Sequence, residues 1–181
     1  GKICGNYSLW SNLTIFWGCG TNLHRSPYNA RNHEYYSEDA VLTSGQAVAF
    51  ISGGKEYGVI IAPKHLAFND TEINRTGVSV FMTEQQAREN ELRGTQASIE
   101  DAGALGVMTA FNRVGITAAN AHTGLLKNIL RGEWGFKGLE SQDFIMNPNY
   151  AVLKEYALNG GTMTTFTGEN TMAAVSEKFA Y

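Results

Sequence analysis

The sequence contains few cysteines and few prolines. Only two Cys and three Pro occur among its 181 residues. Cys4 and Cys19 lie in an apolar, aromatic stretch, and two thiols without His or acidic partners nearby cannot form a zinc site. We therefore expect two buried free thiols and no metal. Because no Pro-rich or Ser-rich tract divides the chain, residues 1–181 are expected to form a single domain.

Long apolar stretches and an excess of positive charge are also lacking. No window approaches the roughly 18 unbroken apolar residues that cross a bilayer, so we expect no membrane segment. The net charge of −3 leaves no basic excess to neutralise phosphates. The sequence therefore predicts neither nucleic acid nor a membrane as a partner.

Short apolar runs alternate with longer helical patterns along the chain. Strand-length runs bounded by Gly, Pro or Asn lie at 15–22, 57–62, 106–111, 139–144 and 162–166. Helical patterns lie at 37–51, 83–102, 121–132, 149–158 and 169–179. About five strand–helix units, with strands that are apolar on both faces, predict an α/β fold with a parallel sheet covered by helices.

Polar residues collect just after the predicted strands, where parallel sheets carry their chemistry. They are His24, Arg25, Arg31, His33, Glu34, Glu38 and Asp39; then Lys64, His65, Asp70, Glu72 and Arg75; then Asn112 and Arg113; and finally Asp143. Each residue alone is compatible with a surface ion pair or a satisfied core histidine. Independent surface charges have no reason to collect at one end of a sheet, so the set predicts a functional site.

The residue types at these strand ends favour a sugar or polyol pocket. Arg, Lys and His supply charge-assisted donors to several hydroxyl groups. Aromatic side chains can offer faces to a sugar ring, and the candidates are Trp17, Tyr28, Tyr35, Tyr36 and Phe144. Neighbouring cations are expected to hold a carboxylate ionised there, as a nucleophile opposite an oxocarbenium-like centre requires.

Several long motifs resemble glycoside hydrolase family 3, which contains β-glucosidases and β-N-acetylhexosaminidases. The motifs are "NLHRSPYNARNHEYYSED", "KHLAFNDTEINR", "VMTAFNRV", "LLKNILRGEWGFKG" and the Asp143 position, in the family's order and approximate spacing. The pattern is most similar to β-glucosidases of anaerobic gut or rumen bacteria. The resemblance implies a TIM-type (β/α)8 barrel, of which this chain has about five units, and a second domain that lends the acid/base and is absent here.

The resemblance also implies roles for individual residues. Asp143 would be the nucleophile of retaining β-glycoside hydrolysis, with no metal or organic cofactor. The substrate-binding residues would be Arg31, Lys64, His65, Arg25, Phe111 and Phe144. The rim around them would be supported by Glu34, Asp70, Glu72 and Arg75.

Four positions depart from the family pattern. Glu140 stands where an apolar residue is usual, Gln142 replaces Ser or Thr, Phe144 replaces a frequent Trp, and Ala30 replaces Gly. An ionised carboxylate in a buried strand costs several kcal/mol unless it is paired. We therefore expect either a cation beside Glu140 or a different packing of this sheet.

Three functional interpretations follow from the sequence. The first is a portion of a retaining β-glucosidase, completed by a missing barrel segment, a second domain or another subunit. Glu140 would lie roughly 10 Å from Asp143 on the opposite strand face and cannot be the acid, so the chain alone should be weak or inactive. The second is a non-catalytic, barrel-derived carbohydrate-binding or self-assembling module with open sheet edges. The third is an open doubly wound domain with a small-molecule site, although no nucleotide-binding glycine loop is present.

Overall fold

The computed structural model describes residues 1–144 and 153–165 of the chain. The first helix, α1 (Lys2–Trp10), was not predicted; it leads into strand β1 (Ile15–Gly20). Helix α2 (Ala40–Lys55) follows, packs against α1, and leads into strand β2 (Ile60–Lys64). The Asp39 carboxylate begins α2 by accepting a hydrogen bond from the backbone N–H of Leu42 at 2.6 Å.

The helix predicted at 83–102 is present, but its first half has an irregular pitch. After the short strand β3 (Ser79–Val80) come α3 (Glu84–Gln86), a π-helical turn (Ala87–Glu91) and α4 (Arg93–Glu100). Thr83 caps the start, its hydroxyl accepting from Gln86 N at 3.2 Å. Glu91, the last residue of the π-helical turn, is buried.

The second half of the fold repeats the strand–helix pattern. Its elements are β4 (Gly106–Thr109), β5 (Arg113–Val114), β6 (Thr117–Ala118), a 3₁₀ turn (Ala119–Ala121), a π-helix (Gly124–Glu133), β7 (Leu139–Gln142) and α5 (Leu153–Leu158). The π-helix corresponds to the helix predicted at 121–132. The predicted strand at 162–166 forms one parallel bridge at Met163 within the described residues. The predicted helix at 169–179 lies outside the described residues.

The predicted parallel strands lie side by side in chain order. Pairing of β1 with β2 is parallel, and so is that of β4 with β7. A parallel bridge from Leu66 to Thr109 links β2 to β4, and one from Ser141 to Met163 continues the order beyond β7. This arrangement confirms a partial TIM-type barrel. The short strands β3, β5 and β6 form a separate small sheet, which was not predicted.

The hydrophobic core lies between these strands and the helices that cover them. Ile61 and Val107 on the strands contribute to it, together with Ile51, Leu126 and Leu130 on the helices. Cys19 is buried as expected, whereas Cys4 is half-buried, and both thiols are free. Within the described residues, no helix is both long enough and apolar enough to span a membrane.

Arg131 binds the backbone just before β7 and just before the bridged residue Met163. Its Nη1 donates to the carbonyl oxygens of Phe136 at 3.2 Å and Gly138 at 2.8 Å, and its Nη2 donates to Gly160 at 2.6 Å. Gly138 immediately precedes β7, and Gly160 lies just before the bridge at Met163. One guanidinium therefore connects the two chain segments that enter the sheet at this pole.

Candidate active site

Asp143 lies where β7 ends, at the carboxyl pole of the parallel strands, and is 9% exposed. Its Oδ2 is 3.7 Å from His65 Nε2 and 3.8 Å from Arg75 Nη1, and its Oδ1 accepts from the backbone N–H of Phe144 at 2.8 Å. Burial raises the pKa of Asp143 above its ordinary value, against the opposing effects of that N–H, Arg75 and Arg31. Burial therefore outweighs the neighbouring cations in setting the direction of this pKa shift.

His65 follows β2 and is buried beside Asp143. Burial, assisted by the Arg31 charge, lowers the pKa of His65 well below its usual value, so the imidazole is neutral near pH 7. Its Nε2 lies 3.2 Å from Arg31 Nη2, and its Nδ1 lies 3.2 Å from the Tyr35 hydroxyl and 3.4 Å from Asn22 Oδ1. Since a guanidinium can only donate, Nε2 accepts from it and Nδ1 carries the proton.

Two cations converge on Glu34 next to this histidine. Arg31 donates from Nε and Nη2 to the two carboxylate oxygens of Glu34, both at 2.7 Å, and Lys64 Nζ lies 3.2 Å from Glu34 Oε2. The Arg31 hydrogen bonds lower the pKa of Glu34 to about 2. Because Glu34 stays ionised, it fixes both cations in place and leaves the remaining Lys64 hydrogens available to a ligand.

Glu72 joins the two arginines of the site. Its carboxylate lies 3.4 Å from Arg31 Nη1 and 3.2 Å from Arg75 Nη1, and it accepts from Asn69 Nδ2 at 3.0 Å. The Arg75 guanidinium also stacks 4.4 Å above the ring of Phe111. Arg75 was predicted only to support the rim, yet it lies about as close to Asp143 as His65 does.

The structure brings four of the predicted site residues into one cluster: Asp143, Arg31, Lys64 and His65. Phe144 is 52% exposed directly beside the nucleophile candidate, where an aromatic ring can meet a ligand. Phe111 is buried beneath Arg75. Arg25 instead contacts Asp70 and Glu91, in a separate group of charges.

Three polar residues of the site were not assigned their roles from the sequence. Tyr35 was expected to offer an aromatic face, but it is buried and its hydroxyl contacts His65. Asn22 exchanges hydrogen bonds with the His65 backbone at 2.8 and 3.1 Å, and Asn69 contacts Glu72. Asn residues after strands are typical of ordinary turns, so the residue type alone does not indicate that Asn22 and Asn69 belong to the site. Only their positions after predicted strands could have indicated it.

Glu140 is fully buried, on the helix-facing side of β7. Neither carboxylate oxygen has a hydrogen-bond partner within the described residues. Burial raises the pKa of Glu140 to about 8, against the weaker effects of the Tyr156 and Thr109 hydroxyls and of Arg131. The sequence left two alternatives open, a cation beside Glu140 or a different packing of the sheet. Among the described residues no cation forms an ion pair with Glu140, and the group avoids the cost of a buried charge by keeping its proton at neutral pH. Neighbouring Gln142 accepts from Asn120 Nδ2 at 2.8 Å.

Parallel strand–helix units with charged side chains gathered at the carboxyl ends of the strands define a TIM-type barrel domain, here a partial one. Within residues 1–144 and 153–165, no group of three or more His, Cys, Asp or Glu side chains is arranged to hold a metal ion. The chain belongs to glycosyl hydrolase family 3, because residues 12–160 match the model of the family's N-terminal domain.

Relatives and solved structures agree with this assignment. The chain is 39% identical over 144 residues to a β-glucosidase of Rhizobium radiobacter, a match that covers 80% of this chain and 18% of the relative. A probable β-glucosidase J of Emericella nidulans is 38% identical over 130 residues, with 72% and 15% covered. The solved β-glucosidase 3B of Thermotoga neapolitana in complex with glucose superposes with a TM-score of 0.84 at 32% identity, with 90% and 22% covered. The chain therefore spans only a small part of the length of these relatives.

Proposed function

We propose that this chain is the sugar-binding and nucleophile-bearing portion of a retaining β-glycosidase that acts on β-glucosides. The observation that carries the proposal is the buried Asp143 carboxylate at the end of β7, facing His65 and Arg75. The names of the relatives, which are β-glucosidases, and the glucose complex of one solved structure support the substrate class.

In this proposal, ionised Asp143 attacks the anomeric carbon of the sugar. A bond forms between the carboxylate oxygen and that carbon while the bond to the aglycone oxygen breaks, and water later hydrolyses the glycosyl ester with net retention. Arg31 and Lys64 donate to sugar hydroxyls from positions fixed by Glu34. The raised pKa of Asp143 means that the ionised fraction, and with it the attack, increases with pH through that pKa.

Two carboxyl groups of the described residues, Glu72 and Glu140, are unsuited to act as the second carboxyl group of the reaction. A retaining acid/base must be protonated and lie roughly 5 to 5.5 Å from the nucleophile. Glu72 already forms ion pairs with both Arg31 and Arg75 within the site. Glu140 lies on the helix-facing side of the strand. The chain alone should therefore hydrolyse ordinary β-glucosides weakly or not at all.

A surface near the first strand supports completion by a partner. Among the described residues, β1 pairs along its length only with β2, apart from a bridge between Gly20 and Tyr35. Ile3, Tyr7 and Trp10 form an exposed apolar stripe on α1. A missing barrel segment, a second domain or a second copy of the chain fits this edge. The same surface favours the alternative function, a non-catalytic carbohydrate-binding or self-assembling module.

Covalent trapping tests the nucleophile without needing the missing acid. An activated deoxyfluoroglucoside with a dinitrophenolate leaving group is incubated with the full chain, and the protein is then digested and analysed by mass spectrometry. We expect one fluoroglucosyl group on the peptide that contains Asp143, and none in Asp143→Asn. The matched control Glu140→Gln, three residues earlier on the same strand, should label like the parent. Equal labelling of Asp143→Asn and the parent would remove Asp143 from the nucleophile role.

A further inference from the structure

The loop between β2 and β3 supplies several contacts of the candidate site without regular secondary structure of its own. Asn69 and Glu72 lie on it, and so does Arg75, which reaches Asp143. Phe68 has φ of 66° and Asn74 has φ of 52°, and a bulky residue in the left-handed region is strained. Such a backbone persists only where contacts from outside the loop hold it in place.

One such contact is a group of three charged side chains, Arg25, Asp70 and Glu91. Arg25 Nε and Nη2 both contact Glu91 Oε1, and Nε lies 3.5 Å from Asp70 Oδ2. Arg25 comes from the segment after β1, Asp70 from the middle of the loop, and Glu91 from the end of the π-helical turn. The group thus joins three separate chain segments at one point.

Protonation of Asp70 reduces the excess of negative charge in this group. Asp70 Oδ1 and Glu91 Oε2 are buried and accept no hydrogen bond from a donor among the described residues. Burial, and then the neighbouring Glu91, raise the pKa of Asp70 to about 8. Asp70 therefore keeps its proton near pH 7, which lowers the negative charge that the partly exposed Arg25 must balance. A carboxyl that keeps its proton avoids the cost of burying a charge.

We propose that Arg25, Asp70 and Glu91 form a positioning clamp that fixes the loop at residues 66–76 and thereby sets Glu72 and Arg75 against Arg31 and Asp143. The inference rests on the proposed sugar site for its functional meaning. The clamp contacts no sugar in this scheme. It acts through Arg75, which touches both Glu72 and Asp143, and through Asn69, which touches Glu72. Arg25 is therefore a positioning residue rather than a substrate-binding one.

Hydrogen–deuterium exchange and histidine NMR test the clamp on the full chain. In Arg25→Ala, backbone exchange in the peptide covering 66–76 should rise by about tenfold, because the loop opens locally, while α2 and β2 exchange as in the parent. The His65 imidazole signal should also shift, since its Nε2 lies 3.2 Å from Arg31 and 3.7 Å from Asp143. Comparison with His65→Gln identifies that signal. Arg25→Lys should give the same local pattern at smaller size, because an ammonium cannot span both carboxyls.

Arg88→Ala is the matched control. Arg88 lies on the same π-helical turn as Glu91, but its guanidinium donates to Glu84 and to Glu133, at 2.7 and 3.0 Å for Glu133, rather than to Asp70 or Glu91. Its removal should change neither the exchange of 66–76 nor the His65 signal. If Arg25→Ala proves insoluble, the Arg25→Lys variant carries the comparison. Exchange that is unchanged, or that rises uniformly along the chain, would overturn the clamp.

Glucose titration separates failure of the clamp from failure of the proposed function. If the parent binds glucose, we expect Arg25→Ala to bind about tenfold more weakly, as a misplaced Arg75 implies. If Arg25→Ala binds glucose as tightly as the parent and its His65 signal does not shift, the clamp is overturned, whereas the proposed sugar site is retained. A parent that binds no glucose, with loop exchange still rising in Arg25→Ala, would support the clamp and count against the sugar site.

Discussion

From the buried Glu140 side chain we predict that the free energy of unfolding depends on pH. Its pKa is about 8 in the folded chain, against 4.5 as its ordinary value, so the unfolded state loses this proton first as the pH rises. The folded state is therefore penalised progressively between pH 4.5 and pH 8, and the full penalty applies above pH 8. For so large a pKa shift the penalty reaches several kcal/mol.

Glu140→Gln should remove this penalty. The free energy of unfolding of the variant should exceed that of the parent at pH 9 by several kcal/mol, and the two should converge toward pH 4. Urea denaturation at a series of pH values measures the difference. Because Glu155 on α5 is exposed, Glu155→Gln is the matched control and should follow the parent at every pH. A pH-independent difference between Glu140→Gln and the parent would show that Glu140 does not titrate with a raised pKa.

A second prediction concerns the effect of Arg75 on the pKa of Asp143. The Arg75 charge lowers the pKa of Asp143 against the larger effect of burial, so Arg75→Ala should raise that pKa further. The pH at which covalent labelling by the fluorosugar is half-maximal should move upward, by about one unit or less for a single partly exposed partner. Arg88→Ala should leave the midpoint in place. A midpoint that falls in Arg75→Ala would contradict the electrostatic role given to Arg75.

Two glycines, one in a tight backbone contact before β7 and one on the exposed side of α2, should respond oppositely to substitution by alanine. A Cβ on Gly138 would lie 2.2 Å from the carbonyl oxygen of Leu105, whereas a Cβ on Gly45, in the exposed middle of α2, meets nothing within 4 Å. Gly138→Ala should lower the free energy of unfolding by about 2 kcal/mol or more, because backbone must move. Gly45→Ala should raise it by about 1 kcal/mol through helix propensity. Thermal denaturation of the two variants should therefore shift in opposite directions, and a stabilised Gly138→Ala would disprove the close contact before β7.

The strands of the barrel were predictable from sequence, whereas two other elements were not. Strands β1, β2 and β4 are mostly apolar runs bounded by Gly, Pro or Asn, which makes such strands distinctive in sequence. Strand β7 was also predicted, although three of its four residues, Glu140, Ser141 and Gln142, are polar. Helix α1 escaped prediction because its buried residues are the small Gly5 and Ser8, while its large apolar side chains face outward. The two-residue strands of the small sheet are too short to show any periodicity.

The sequence was sufficient to predict that the strand-end residues gather at one place, but it was not sufficient to predict their electrostatic detail. Arg31, Lys64, His65 and Asp143 come together because parallel strands place their carboxyl ends at one pole. The pairing of Arg25 with Glu91 depends on a π-helical turn, which no local sequence pattern indicates. The raised pKa of Asp143 depends on burial, which is a property of the folded chain.

For the molecule as a whole, the apolar stripe on α1 predicts self-association of the isolated chain. Ile3, Tyr7 and Trp10 are 85%, 62% and 84% exposed, and their spacing places them on one face of α1. The sedimentation coefficient of the parent should therefore increase with protein concentration. In Ile3→Gln/Trp10→Gln this dependence should be reduced, whereas the exposed Val41→Gln on α2 should behave as the parent does. Equal self-association of all three proteins would locate the contact on another surface.

Arg131 lets the stability of this domain be engineered separately from its chemistry. Its guanidinium binds the backbone where chain segments enter the sheet, whereas Asp143 stands where β7 leaves it, roughly 16 Å away by strand rise. Substitutions that far apart are usually additive in free energy. A library built around Arg131 can therefore be selected for heat resistance, and another around Phe144 for ligand binding at the candidate site, and the best members of each can be combined in one gene.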